Sequence, residues 1–157
     1  MLHVPSPGLA GRRIAGTCAA TLAAATAFVL FGGAVPAQAA NVNGSCTASR
    51  GNYGNASTYY HVTGATTYID EFDWTLGGPS GGKSNVNLQQ KINVSGGGDT
   101  VLYSWNSPDN VKAGDGSHTP TQTVSVPLEK ATYTNYQFIF DRTLVDPKCT
   151  ARTVPDI

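Results

Sequence analysis

The sequence is short of charged residues and of the residues that favour helices. Among its 157 residues, Lys and Arg together number 10, as do Asp and Glu, so that only 13% are charged. Beyond residue 39 the only glutamates are Glu71 and Glu129, and Leu and Ala are scarce after Ala65. Helix interiors favour Ala, Leu, Glu and Lys, whereas Thr, Tyr, Val and Ile favour strands. The later sequence, rich in Thr, Tyr, Val, Asn, Ser and Gly, therefore predicts an all-β protein.

Basic clusters are also absent after the first forty residues. Arg12 and Arg13 precede residue 40, which leaves eight Lys and Arg against ten Asp and Glu and a net charge of about −2. Binding to nucleic acid or to an anionic membrane surface requires a concentration of positive charge. We therefore expect no nucleic-acid partner and, once the leader is removed, no membrane partner. We also expect a monomer.

The first 39 residues have a composition of their own. An arginine pair at 12–13 precedes an apolar stretch at 14–31, and Ala-Gln-Ala at 37–39 has the small-x-small pattern of a signal-peptidase site. Thr and Gly dilute the apolar stretch, which disfavours a membrane-spanning helix. We predict a signal peptide over residues 1–39 and one secreted domain over 40–157. The general export route is favoured, and the arginine pair leaves the twin-arginine route open.

Cysteine is rare, and its placement predicts one crosslink. Cys18 lies within the predicted leader, which leaves Cys46 and Cys149 near the two ends of the secreted domain. Two cysteines in an oxidising compartment most simply form a disulfide. Closing a loop of about 100 residues contributes roughly 4–5 kcal/mol in the chain-entropy description.

Period-two alternation provides the main evidence for strands. Val86, Leu88, Gln90, Ile92 and Val94 alternate with polar residues, as in a half-buried strand. Gly- and Pro-rich turns separate this segment from other short candidates. These lie near residues 44–50, 59–63, 68–76, 100–105, 121–126, 133–142 and 148–154. We predict a small antiparallel β-sandwich, Ig-like or jelly-roll-like, with seven or eight strands closed by the disulfide.

One strand candidate contains an irregularity. In the segment 68–76, Asp70 falls on the same side as Tyr68, Phe72 and Trp74 if the alternation is regular. A carboxylate among aromatic side chains on one face predicts a bulge or a strand end at Asp70.

The glycine-rich segment 77–84 matches two catalytic motifs by letter. It satisfies the phosphate-loop pattern G-x-x-x-x-G-K-[ST], and it also contains G-x-S-x-G around Ser80. Both motifs require a helix immediately after the loop, and the serine motif requires an activating histidine. The sequence after Ser84 instead alternates like a strand, and no local pattern joins His61 or His118 to Ser80. We interpret the segment as a solvated turn.

The carboxylates of Glu71 and Asp73 are the best candidates for catalysis. Two positions apart on a strand, they point the same way at roughly 6.5–7 Å along the chain. Such a spacing resembles that of the carboxylate pair of a glycosidase. The alternative is a charged, solvent-facing side of a half-exposed strand.

Three aspartates lie in glycine-containing loops that would suit a hard cation. Asp99, Asp109 and Asp115 could supply oxygen ligands to calcium, although the EF-hand spacing is absent. We expect no other cofactor.

Aromatic residues carry the strongest indication of function. Tyr59, Tyr60, Trp74 and Trp105 are candidates for a binding surface, because aromatic side chains on a rigid scaffold add contact area at low entropic cost. Many of the aromatic residues are equally expected to fill a core that has few Leu and Ile. We predict a secreted binding protein rather than an enzyme, with carbohydrate or a cell-envelope ligand favoured and an extracellular protein next. The alternatives are a small extracellular hydrolase, and an inhibitor or toxin that presents the loop 106–120 to a protein partner.

Overall fold

The computed structural model describes residues 39–157, which form nine strands and one short 3-10 helix. The predicted leader, apart from its last residue, lies outside the described residues. In chain order the elements are β1 (Ala40–Thr47), a 3-10 turn (Ser49–Gly51), β2 (Tyr53–Thr63), β3 (Thr66–Gly77), β4 (Asn85–Ile92), β5 (Thr100–Asn106), β6 (Gly114–His118), β7 (Val124–Pro127), β8 (Thr132–Ile139) and β9 (Lys148–Arg152).

The strands form two antiparallel sheets that pack face to face. Sheet 1 has the order β1-β2-β3-β6, with β7 also paired to β3, and sheet 2 has the order β5-β4-β8-β9. Side chains from both sheets contribute to one hydrophobic cluster. The all-β prediction, with antiparallel strands in two sheets, is confirmed. Within residues 39–157 no helix is long and apolar enough to cross a membrane.

One strand lies where a loop was expected. The segment 106–120 reads as a long polar loop, but Gly114–His118 forms β6 and pairs with Leu76–Phe72 of β3. Its sequence, Gly-Asp-Gly-Ser-His, has no apolar alternation because β6 is an edge strand that is held mainly by backbone hydrogen bonds. It brings the strand count to nine rather than the seven or eight predicted.

A bulge in β3 lies at the predicted position. Tyr59 of β2 pairs with Glu71 and Tyr60 pairs with Ile69, so Asp70 is an extra residue on β3. The bulge changes the parity of the strand: Ile69 is buried before it and Phe72 after it. Tyr68 therefore does not share the inner face with Phe72, as regular alternation would require.

The core between the sheets is built largely from aromatic rings. Phe72 of sheet 1 meets Tyr136 of sheet 2 edge-on, with ring centroids 6.3 Å apart. Phe138 stacks between Tyr136 and Phe140 along the inner face of sheet 2. Gly54 of β2 faces this row closely, since a Cβ atom there would lie 2.2 Å from the ring of Phe138. Backbone and ring thus approach at a distance that only glycine permits.

A chain of hydrogen bonds crosses the core. The hydroxyl of Thr58 donates to that of Thr134 at 2.8 Å and lies 3.0 Å from the hydroxyl of Tyr136. Thr134 donates in turn to the carbonyl oxygen of the buried Gln90. The Gln90 amide donates to Thr132 at 2.6 Å. Burial raises the pKa of Tyr136 well above its ordinary value. These polar groups are tolerated in the core because they satisfy one another.

The predicted disulfide is present and joins the two sheets. Cys46 of β1 is bonded to Cys149 of β9, at a sequence separation of 103. On the same side of the sandwich the amide of Val154 donates to the carbonyl of Asn43 at 2.9 Å. One side of the sandwich is therefore closed by both a covalent bond and a backbone bridge.

Candidate functional site

A groove on the outer face of sheet 1 brings together residues from several of the sequence-based predictions. We call it the acidic groove; its volume is about 330 Å³. Its polar lining comes from three neighbouring strands and consists of Asn55, Ser57, Tyr59, Asp73, Thr75 and Asp115.

Strand alternation and register explain why these side chains meet. Ser57 of β2 pairs with Asp73 of β3, and Asp115 of β6 pairs with Thr75. Directly opposed residues in a sheet have Cβ atoms about 5 Å apart on the same face. The hydroxyl of Thr75 donates to a carboxylate oxygen of Asp115 at 2.6 Å. Tyr59 lies opposite Glu71, which extends the row of carboxylates along β3.

Asp73 is the most perturbed group of the groove. Partial burial raises its pKa, and the nearby charges of Glu71 and Asp115 raise it further. Its Oδ1 atom is shielded from solvent and has no hydrogen-bond partner among the described residues. An unpaired acceptor of this kind costs free energy in the free protein, which a donor group on a ligand could recover.

Trp74 lies beneath the groove rather than on its surface. It is 7% exposed and belongs to the core, between the sheets. Gly116 of β6 covers its indole, since a Cβ atom there would lie 2.7 Å from the indole Nε1. That nitrogen has no hydrogen-bond partner within residues 39–157.

Trp105 and His118 close the side of the sandwich opposite the disulfide. Trp105 of β5 stacks on His118 of β6 with centroids 4.1 Å apart and also packs against Trp74. The Nε2 atom of His118 lies 2.7 Å from the hydroxyl of Tyr103. Burial lowers the pKa of His118. These rings connect β6 of sheet 1 with β5 of sheet 2, so we interpret them mainly as packing residues.

The four predicted aromatic residues therefore occupy different environments. Tyr59 alone lines the acidic groove with its own outward-facing side chain. Tyr60 and Trp105 are half-buried and pack against the core, and Trp74 is within it. Of the four, Tyr59 is the residue placed on the outer face at the groove, and Trp74 lies immediately below it; a role of these residues in binding stays a prediction.

The three predicted calcium ligands have separate partners. Asp99 accepts hydrogen bonds from the amide of Val94 and from the hydroxyl of Tyr133, which lowers the pKa of Asp99. Asp109 accepts from the side chain of Asn85, and Asp115 belongs to the acidic groove. Among residues 39–157, no three His, Cys, Asp or Glu side chains are grouped as metal ligands.

The loop 77–84 lacks the structure that its motifs require. Strand β4 follows it directly, so no helix N-terminus faces a phosphate. Ser80 has no hydrogen-bond partner among the described residues, while the Nε2 atom of His118 lies against Tyr103. The prediction that a strand rather than a helix follows this segment is confirmed.

The sequence did not indicate the pair formed by His61 and Asp70. The Nδ1 atom of His61 lies 2.7 Å from a carboxylate oxygen of Asp70, and its ring stacks on Tyr68 at 5.1 Å. The three residues flank a groove of about 600 Å³. The bulge turns the side chain of Asp70 outward, so that it meets His61 of β2. Only the predicted bulge could have suggested this pair from the sequence.

A second polar surface also went unpredicted. We call it the amide face; it lies on the outer side of sheet 2, encloses about 310 Å³ and carries no ionisable side chain. Its lining consists of Asn87, Gln89, Asn106, Asn135, Gln137 and Thr150. The sequence shows amide side chains at every second position of β4 and β8, but it does not show that these two strands pair.

Comparison with known proteins adds no assignment. The chain matches no protein-family model, and the searches of curated proteins and of solved structures found no significant similarity. Any functional inference must therefore come from the chain's own geometry.

Proposed function

We propose that the protein is a secreted carbohydrate-binding module that holds its ligand in the acidic groove. The observation that carries the proposal is the unpaired Oδ1 atom of Asp73 in a groove that Tyr59 also lines. Sugar hydroxyls donate hydrogen bonds to carboxylates, and a sugar ring packs well on an aromatic face. Asn55 and Ser57 add groups that both donate and accept.

The charge of the groove restricts the class of sugar. Glu71, Asp73 and Asp115 place three carboxylates on this part of sheet 1, and the groove lining contains no cation. An anionic polysaccharide would be repelled, whereas a neutral or amino sugar would not. We therefore favour neutral hexose polymers and polymers of amino sugars as ligands.

The test is a fluorescence titration of the protein with neutral, acetylated-amino and free-amino oligosaccharides. Trp74 reports on the groove because its indole lies directly beneath it. We expect a saturable change with one glycan, and a loss of affinity of about tenfold or more in Asp73→Ala and Tyr59→Ala. Titration with calcium and with a chelator separates cation effects at the aspartates from glycan binding.

Two variants of the amide face serve as matched controls. Gln89→Ala and Asn135→Ala remove polar side chains from the outer surface of the other sheet. They should leave glycan affinity unchanged. If they abolish binding while the groove variants do not, the site assignment is wrong; if no glycan binds at all, the function is wrong.

Hydrolysis is a second candidate, and the raised pKa of Asp73 favours it. A carboxyl group with a raised pKa beside a second carboxylate, here Glu71, resembles the pair of acid and nucleophile in glycosidases. In this case Glu71→Gln should abolish the release of reducing ends from the glycan that binds. Release that persists in this variant would remove the candidate.

A further inference from the structure

The loops at one end of the sandwich form a pocket that is lined by two arginines, whereas the acidic groove is lined by carboxylates. We call it the arginine pocket; it encloses about 460 Å³ and shares no lining residue with the acidic groove. Its walls come from three segments: the β1–β2 turn, the β3–β4 loop and the chain after β8. Its lining consists of Arg50, Pro79, Ser80, Gly81, Asp141, Arg142 and Thr143.

We propose that the arginine pocket binds a tetrahedral oxyanion, phosphate or sulfate, either free or as an ester. Two guanidinium groups line one cavity, and neither forms a salt bridge with a described residue. Guanidinium groups present forked donors that match the oxygens of phosphate and sulfate. This proposal is independent of the glycan-binding function.

The backbone holds both arginines at the pocket. Arg50 adopts a left-handed conformation, with φ at 63°, which a residue with a side chain rarely adopts. The neighbouring Gly51 packs on the β3–β4 loop so closely that a Cβ atom at Gly78 would lie 2.3 Å from its carbonyl oxygen. Arg142 donates from its guanidinium to the carbonyl of Pro79. The Arg142 side chain is thereby held by the β3–β4 loop before any ligand arrives, and the backbone of Arg50 lies beside the same loop.

Ser80 supplies a separate indication that a ligand is missing. Its hydroxyl oxygen is shielded from solvent and has no partner among residues 39–157. Ser80 belongs to the pocket lining, and a hydroxyl can donate a hydrogen bond to an anion oxygen. An oxyanion in the pocket would satisfy it.

The carboxylate of Asp141 also lines the pocket, and it is hydrogen-bonded to the β3–β4 loop. Asp141 accepts a hydrogen bond from the amide of Lys83 at 3.1 Å, and its Oδ2 atom packs against Gly81. Its backbone carbonyl accepts the Gly81 amide at 2.8 Å. The Asp141 carboxylate therefore accepts a hydrogen bond that shapes the β3–β4 loop, and the pocket lining carries two positive charges against this one negative charge.

Calorimetric titration of the full chain with inorganic phosphate, inorganic sulfate and glycerol 3-phosphate tests the proposal. We expect saturable binding with a dissociation constant of about 1 mM or tighter, weakened by added salt. Tighter binding of the ester would indicate a phosphorylated ligand, and equal affinities would indicate a free ion. Absence of binding with all three compounds would overturn the proposal.

Four variants distinguish binding in the arginine pocket from a general effect of surface charge. Arg50→Asn removes the charge while retaining a residue that tolerates the left-handed conformation. We expect it to weaken binding about tenfold, and Ser80→Ala to weaken it by a smaller factor. Arg142→Lys keeps the charge but loses the forked donors, so its loss of affinity should fall between those of Arg50→Asn and Ser80→Ala. Lys130→Asn removes one charge from the exposed β7–β8 turn and should change nothing; an equal loss in this control would refute the site.

Discussion

The disulfide should account for a large share of the stability of this domain. Replacing both Cys46 and Cys149 by alanine releases a crosslink that spans 103 residues. For a loop of about 100 residues the chain-entropy description gives about 4.7 kcal/mol. Small domains are stable by only about 5–15 kcal/mol, so the loss would be a third of the total or more.

The double variant should nevertheless still fold. The hydrogen bond from Val154 to Asn43 and the aromatic core do not depend on the sulfur atoms. Urea unfolding, followed by tryptophan fluorescence, would show a lower midpoint and a steeper dependence on urea, because the unfolded chain becomes more expanded.

Reduced wild-type protein is the control for the crosslink. It keeps both sulfur atoms and their packing against the core but lacks the bond. Its free energy of unfolding should match that of the double variant to within about 1 kcal/mol, since little apolar volume separates them. A loss of stability below about 1 kcal/mol in both proteins would refute the entropic reasoning.

Three further changes test the core and the groove. Gly54→Ala places a Cβ atom 2.2 Å from the ring of Phe138 and should cost about 1–3 kcal/mol in urea unfolding, so an unchanged midpoint would contradict the close approach. Gln90→Leu leaves the hydroxyl of Thr134 without its acceptor and should cost about 1–3 kcal/mol by the same measurement; a neutral result would show that the network relaxes. Asp73 has a raised pKa, so its charge destabilises the fold at neutral pH and the penalty vanishes below its ordinary value of 3.8. Asp73→Asn should therefore stabilise the protein near pH 7 but not below pH 3.8, and a gain independent of pH would contradict this.

The fold was largely predictable because alternation is a local signal. The segment from Val86 to Ile92 places apolar residues and Gln90 on one face, and β4 has this arrangement. The edge strand β6 was not predictable, because its pairing with β3 depends on a partner 40 residues earlier at Thr75 and Asp115. Local patterns specify strands that bury a face with alternating apolar residues, and they do not specify β6, whose sequence has no such alternation.

The candidate site was predictable in its residues but not in their association. Tyr59, Asp73 and Asp115 were each singled out, for aromatic contact, catalysis and calcium binding respectively. The structure gathers them into one groove because β2, β3 and β6 are adjacent and in register. The arginine pocket was not predicted, since Arg50 and Arg142 are separated by most of the domain and meet only where the loops pack.

The use of aromatic rings in the core determines how this domain can recognise a ligand. With few Leu and Ile available, Phe72, Trp74 and Tyr136 fill the space between the sheets, so Tyr59 is the aromatic residue left on the outer face at the acidic groove. Recognition on the outer faces must then rely on carboxylates and amides, whose hydrogen bonds give specificity but modest net free energy each. A single sugar ring would bind weakly under these conditions. A polymer that contacts several positions along the sheet would accumulate affinity, so the proposed glycan ligand would be a polysaccharide rather than a free monosaccharide.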